Sequence, residues 1–298
     1  MAKLSSSRGS FSQTVMFPRL LVSGMVDLVL PPACRFCEGP LDGLPIIDSD
    51  RDSEPPQQGE PLQYFCRDCY RRLSVSEPMM RQACTRCGMP PAGILPAKTD
   101  SDLNSQDLSS QDSGCQNCRD EEFDFDAVIA LWMYRGQVCD AIVAAKFAYN
   151  TPLANALGQQ LGRRLSVELK DNLPSEVTFV PSHLFRQVSR GGIGTRAMAE
   201  AVASELKIPL TRRLKATRPI AKQAWLDDDD RKQNVHGAFA ARKSYAFARP
   251  PNLDDRHILV VDDVLTTGAT AGEVARVLKD AGAGRVTFAV VSRAVRTR

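Results

Sequence analysis

Residues 257–274, HILVVDDVLTTGATAGEV, constrain the fold more than any other run in this 298-residue chain. Ile258 to Val261 is a continuous apolar stretch, of a length that suits a strand buried on both faces. Two carboxylates follow it, Asp262 and Asp263. Then come Thr266, Thr267, Gly268, Ala269 and Thr270, and helical spacing runs over Ala269 to Asp280. A buried strand feeding a helix through a short loop predicts a parallel sheet with helices on its faces. Acids at the carboxyl edge of such a sheet lie where open α/β folds bind ligands. Small loop residues let backbone amides turn inward, and the helix N-terminus beyond them favours an anion. A group that offers a phosphate to the loop, and hydroxyls or a divalent cation to the acids beside it, is a ribose 5-phosphate. An ordinary solvated strand end with a helix N-cap would explain one Thr or Asp, but not the whole run.

The rest of the second half repeats this alternation. Ala127 to Tyr134, Val177 to Val180 and Val286 to Val291 read as strands. Val138 to Tyr149, Leu153 to Leu169 and Arg196 to Leu206 read as helices. A chain of this length accommodates two domains, and its composition changes near residue 122. Before that point, Pro45 to Pro61 and Leu95 to Gly114 are rich in Asp, Ser, Gln and Pro and carry no helical or strand period, so both are expected as loops.

Eight of the nine cysteines form four Cys-x-x-Cys pairs: Cys34/Cys37, Cys66/Cys69, Cys84/Cys87 and Cys115/Cys118. Zinc takes four tetrahedral thiolates, and pairs with two residues between them chelate through a tight knuckle. Sequence order assigns Cys34, Cys37, Cys66 and Cys69 to one site and Cys84, Cys87, Cys115 and Cys118 to a second, with interleaved pairing as the alternative. The sites are expected to be structural, since no histidine lies among them and no ligand position stays open. Gly88 fits the turn a knuckle needs. Cys139 stands alone and is expected as a small core residue.

Phe17 to Leu30 is apolar but interrupted by Arg19 and Asp27, and no small-residue cleavage site follows it; a short amphipathic helix is expected there, after a Ser-rich start. With no long apolar run, no membrane span is expected. Paired cysteines without an export signal point to metal rather than disulfides, and so to the cytoplasm. The net charge of +3 does not by itself indicate nucleic acid. Arg285, Arg293, Arg296 and Arg298 read as a solvated basic face.

The run VVDDVLTTGAT resembles the signature of type I phosphoribosyltransferases. With YRGQVCDAIVAAKF (134–147), VPSHLFRQVSRGG (180–192) and KQAWLDDDDRKQNVHGAF (222–239), in that order behind paired cysteines, the chain is similar to the ComF family. The resemblance covers roughly residues 25–295. It implies an α/β fold of the type I phosphoribosyltransferase kind, a mostly parallel sheet flanked by helices, preceded by a small double zinc-ribbon module. The divisions it suggests are a variable N-terminal tail (1–29), the zinc ribbon (30–122) and the phosphoribosyltransferase-like domain (123–298).

The resemblance also implies roles. Asp262 and Asp263 would contact the ribose of phosphoribosyl pyrophosphate, with magnesium, and assist its chemistry. Thr266, Thr267, Gly268, Ala269 and Thr270 would grip the 5-phosphate. Pro181 and Ser182 would receive the pyrophosphate, with Lys146 and Arg190 supplying positive charge and Arg186 a weaker third. His183 reads as a loop hydrogen-bonder. Gln223, Arg231 and Asn234 match family positions in a segment expected as a flap over the site. Trp225 reads there as a packing anchor, and Asp227 to Asp230 as an acidic helix start. The chain departs from the family at Arg190 to Gly194, where Gly-Gly-Ile-Gly follows the arginine and the usual aromatic, Asn and Gln are missing. Two functions follow. One is transfer of a phosphoribosyl group to an acceptor the sequence does not name. The other is a non-enzymatic zinc-ribbon factor of natural competence that keeps a phosphate pocket and works with single-stranded DNA and a DNA-uptake helicase.

Overall fold

The computed structural model describes residues 33–41, 64–91, 115–181, 194–218, 234–242 and 253–295. Four parallel strands form the central sheet: β1 (Ala127–Met133), β2 (Glu176–Phe179), β5 (His257–Leu265) and β6 (Arg285–Arg293), in the order β1-β6-β5-β2. A separate antiparallel pair is made by β3 (Leu214–Ala216) and β4 (Phe239–Ala241). The helices are α1 (Arg67–Leu73), α2 (Glu77–Met80), α3 (Gln137–Ala145), α4 (Thr151–Glu168), α5 (Gly194–Leu206) and α6 (Ala269–Asp280).

Alternation along the strands divides the core into two faces. Leu131, Val177, Phe179, Leu259, Val261, Ala289 and Val291 point to one, beneath α3, α4 and α5. Val128, Ala130, Ile258, Val260, Val286, Phe288 and Val290 point to the other, beneath α6 and the β3–β4 pair. Burial on both faces is why these strands read as unbroken apolar runs rather than alternating ones. On the first face α4 and α5 approach closely at Gly158, where an added Cβ would lie 2.4 Å from the Met198 carbonyl oxygen.

The cysteine-bearing segments share both cores. Cys34, Phe65, Cys66, Cys69 and Leu73 join the first, and Met80 joins the second. Ser76 Oγ accepts the Met133 amide at 2.9 Å, the Thr85 carbonyl accepts the Val128 amide at 2.8 Å, and Arg164 donates to the Met80 carbonyl at 2.7 Å.

Several sequence expectations change. β5 runs through Leu265, so the acids lie within the strand and not beyond it. The β6 strand continues beside them, pairing Val290 with Asp262 and Arg293 with Leu265, and this extends the ladder. The expected helix 138–149 stops at Ala145, after which Phe147 is extended and a single tight turn covers Ala148–Asn150. The β3–β4 pair and helices α1 and α2 had no clear periodic signal. Cys139 is half-buried beside Tyr134 rather than a core residue. Arg293 is buried, not part of a solvated face, because backbone carbonyls satisfy its guanidinium. The stretches expected as loops at 45–61 and 95–114, and the expected helix at 17–30, lie outside the described residues, as do Arg296 and Arg298. No helix among the described residues is long and apolar enough to cross a membrane.

Candidate functional site

β2 ends at Phe179, which is paired with Val261. Asp262 and Asp263 are therefore the first residues of β5 to lose a neighbour on that side. The chain leaving β2 leads to α5 on one face, and the chain leaving β5 leads to α6 on the other. A crevice at this point, outside the carboxyl ends of the strands, follows from the topology. A cleft of about 260 Å³ opens there, lined by Tyr134, Lys146, Asp262 to Leu265, Thr266, Gly268, Thr270 and Ala271.

Local backbone shapes the floor of the cleft. Gly268 has φ 91°, a left-handed conformation that disfavours a side chain, and it forms the N-cap of α6. No side chain of the cap residue bonds the first turn, and that turn holds no acid. The Thr267 hydroxyl accepts the Ala269 amide at 3.4 Å. The helix start thus faces the cleft without a carboxylate of its own, which suits an anion.

Charge is concentrated in the cleft. Lys146, at the end of α3, places Nζ 3.0 Å from Asp263 Oδ2. Asp262 Oδ1 accepts the Asp263 amide at 2.9 Å. Burial, and then repulsion from Asp263, push the Asp262 carboxyl up to about 8 against the pull of that amide and of Lys146. Burial works against the Lys146 ammonium, but Asp263 outweighs it, with help from Asp262 and Tyr134, and holds it above its ordinary value. Two acids sharing one lysine form a site that gains by taking up a further cation.

The cysteines form two groups, and pairing follows sequence order: Cys34, Cys37, Cys66 and Cys69 in one, and Cys84, Cys87, Cys115 and Cys118 in the other. A tetrahedron of sulfurs at the usual zinc–sulfur bond length has edges of about 3.8 Å. Cys37 and Cys66 are separated by 3.8 Å, Cys84 and Cys118 by 3.8 Å, and Cys87 and Cys115 by 3.6 Å. The knuckles match as well. The Glu38 amide donates to the Cys34 carbonyl at 2.9 Å and the Gly88 amide to the Cys84 carbonyl at 2.7 Å, and both donor residues have positive φ, 61° and 71°. Glu38 thus fills the left-handed position that Gly88 fills in the second group. These residues fit zinc, and each group could hold one ion.

Residues 188–297 match the model of the phosphoribosyl transferase domain. Competence protein F of Haemophilus influenzae is 26% identical over 188 residues, covering 60% of this chain and 78% of that protein. The DNA utilization protein YhgH of Escherichia coli is 25% identical over 228 residues, covering 74% of this chain and 87% of that protein. The chain is similar to these competence and DNA-utilization proteins, and its residues 188–297 match a phosphoribosyl transferase domain. Among solved structures, the allosteric regulatory enzyme of purine biosynthesis aligns at 21% identity and a TM-score of 0.31, over 47% of this chain and 26% of its own. This chain therefore spans about a quarter of that enzyme.

Of the residues the ComF resemblance singled out, Lys146, Asp262, Asp263, Thr266, Gly268 and Thr270 line one cleft. Thr267 and Ala269 lie in the same stretch but are not part of the lining, and they bond each other. Pro181 ends the described segment after β2 and does not line the cleft. Ser182, His183, Arg186, Arg190, Gln223, Trp225, Asp227 to Asp230 and Arg231 lie outside the described residues. Sequence reasoning missed Tyr134, Val264, Leu265 and Ala271 as lining. Tyr134 had a signal, as the first residue of the YRGQ motif. The described part of the expected flap, 234–239, docks on α6, where Glu273 accepts the Gly237 amide at 2.8 Å and pairs with Arg276 at 2.8 Å. Burial opposes the charge on Glu273, but Arg276 and the Gly237 amide outweigh it and hold the carboxyl below its usual range.

Proposed function

We propose that the cleft binds phosphoribosyl pyrophosphate together with magnesium, and that the domain transfers the phosphoribosyl group to an acceptor. One observation carries this reading: both acids, Thr266, Gly268, Thr270 and the acid-free start of α6 line a single cleft at the carboxyl end of β5. The loop amides and threonine hydroxyls hold the 5-phosphate. Asp262 and Asp263 hold the ribose hydroxyls and would hold magnesium, which supplies charge to offset the pyrophosphate. Lys146 exchanges its bond to Asp263 for the pyrophosphate. The carboxylates stabilise positive charge that develops on the ribose as pyrophosphate departs, and the cleft supplies orientation. Pro181, Ser182 and Arg190, on the segment after β2, complete the pyrophosphate side in this reading. Thr267 and Ala269 set the loop's shape. In this reading the chain divides into a tail (1–29), a double zinc ribbon (30–122) and the phosphoribosyltransferase-like domain (123–298), and its eight clustered thiols suit a reducing cytoplasm.

Calorimetry with phosphoribosyl pyrophosphate and magnesium tests the pocket. Wild type is expected to release heat that Asp262→Asn/Asp263→Asn abolishes; equal heat from both proteins would remove the assignment.

A second reading rests on the names of the relatives, competence protein F and DNA utilization protein. In it the chain serves DNA uptake or use, the pocket is a retained ligand sensor, and the zinc ribbons meet single-stranded DNA or a helicase. Turnover separates the two. Release of pyrophosphate in the presence of candidate acceptors supports transfer, whereas ligand binding without turnover, together with a single-stranded DNA gel shift at low salt, supports the second reading.

A further inference from the structure

Two independent chains of contact join the second cysteine group to the loop at the mouth of the cleft. The first is Arg293, the last residue of β6. Its Nε donates to the Cys87 carbonyl at 2.9 Å, and its Nη1 donates to the Leu265 carbonyl at 3.1 Å and to the Thr266 carbonyl. One buried guanidinium thus spans from a metal-ligand residue to the end of β5 and the start of the loop. The second chain is aromatic. A Cβ added at Gly268 would lie 3.6 Å from the Phe125 ring. Phe125 stacks on Phe123 with ring centroids 4.6 Å apart, and the Arg86 guanidinium lies 5.6 Å above Phe123. Arg86, inside the Cys84–Cys87 knuckle, also donates to the Cys118 carbonyl at 3.0 Å. The first cysteine group is built into the core on the opposite face of the sheet.

The chemistry supports a directed link. A divalent ion on four thiolates leaves two net negative charges, and Arg293 brings a permanent positive charge to the residue next to that centre. A buried guanidinium needs its acceptors in place, since leaving it unpaired is costly. The carbonyls of Leu265 and Thr266 are therefore held in position as long as the Cys87 carbonyl is.

We propose that the second cysteine group, loaded with zinc, is the scaffold of the phosphate-binding loop, and that Arg293 is the positioning residue that couples the two. This rests on the reading of the loop given under Proposed function. It makes ligand binding conditional on metal at Cys84, Cys87, Cys115 and Cys118, and not at the first group. By reciprocity, a ligand in the cleft tightens binding of that metal.

Hydrogen exchange of the zinc-loaded full chain, followed by mass spectrometry, tests the coupling without any ligand. Cys115→Ser and Arg293→Lys are each expected to accelerate exchange of amides 265–270 by ~10-fold or more, while amides 258–261 in the core of β5 stay unchanged. Cys37→Ser, which weakens the first group, is expected to leave the loop unaffected. The double variant Cys115→Ser/Arg293→Lys is expected to exchange no faster than Cys115→Ser alone, the signature of Arg293 acting through the metal group. Should Cys115→Ser open the core as well, Arg293→Lys with its zinc content confirmed decides alone. Equal acceleration by Cys37→Ser and Cys115→Ser, additive effects in the double variant, or unchanged loop exchange in Arg293→Lys would each overturn the proposal. Wild-type calorimetry with phosphoribosyl pyrophosphate is run in parallel. If it shows no binding, the ligand reading fails while the exchange coupling still stands or falls by itself. If it shows binding, the ligand is expected to tighten zinc affinity several-fold in a chelator-competition titration of wild type and not of Arg293→Lys.

Discussion

Lys146 Nζ sits 3.0 Å from Asp263 Oδ2, so a cation from the end of α3 closes onto the acid pair of β5. In the proposed reading, the lysine holds a place that a divalent cation and a pyrophosphate would share. Lys146→Met leaves the two acids with no organic counter-charge. Phosphoribosyl pyrophosphate is expected to bind ~10-fold more weakly, as for loss of one charge-assisted hydrogen bond. Magnesium alone is expected to raise the melting temperature more in the variant than in wild type, and a thermal-shift titration of both proteins measures this. Equal shifts would show that Lys146 does not compete at the acids.

Asp262 links pH to stability. Burial, and then Asp263, raise its carboxyl from 3.8 in an ordinary setting to about 8 in the fold. The folded state therefore holds a proton that the unfolded state loses, and stability falls as pH rises from about 4 towards 8. Asp262→Asn removes this dependence. The variant is expected to melt higher than wild type at pH 8, by ~3 °C or more, and to differ much less at pH 5. Melting curves at the two pH values check it; a gap as large at pH 5 as at pH 8 contradicts the assignment.

Gly158 permits the close crossing of α4 and α5, and an added Cβ would meet the Met198 carbonyl oxygen at 2.4 Å and its Cα at 2.7 Å. Backbone cannot yield as a flexible side chain does. Gly158→Ala is expected to destabilise by ~1–3 kcal/mol despite alanine's better helix propensity. Urea unfolding measures the loss, and a neutral result would mean that the helices can separate without cost.

Zinc content follows from the two sulfur tetrahedra. The purified chain is expected to hold two zinc ions, Cys37→Ser and Cys115→Ser one each, and the two substitutions together none. Elemental analysis beside protein quantitation gives the ratio. Chelation is expected to lower the melting temperature, because each ion ties together segments some thirty residues apart.

Much of this was readable in the chain. Cys-x-x-Cys spacing predicts metal because two thiolates at that separation chelate within one turn, and the order of pairs in space follows their order along the chain. The apolar runs of β1, β2, β5 and β6 announce a sheet buried on both faces. The Asp262–Thr270 run announces a strand, loop and helix start in order, while the strand's reach to Leu265 and the loop's position depend on β6 and Arg293. The β3–β4 pair was illegible because its strands are three residues each and gain their pairing from docking on α6, through Glu273 and the Gly237 amide.

By itself, then, the sequence determined what depends on neighbours along the chain: cysteine knuckles, strand and helix periods, and the acid-threonine turn. The tertiary structure alone decided what depends on closure over long separations. It stopped β2 at Phe179 and so opened the cleft beside Asp262 and Asp263. It brought Lys146 to Asp263. It also turned Arg293 inward, 206 residues from the Cys87 carbonyl it bonds. An arginine near the end of a strand has the same local signature whether it meets water or a carbonyl; only the packed chain supplies the acceptors that make burial of its charge tolerable.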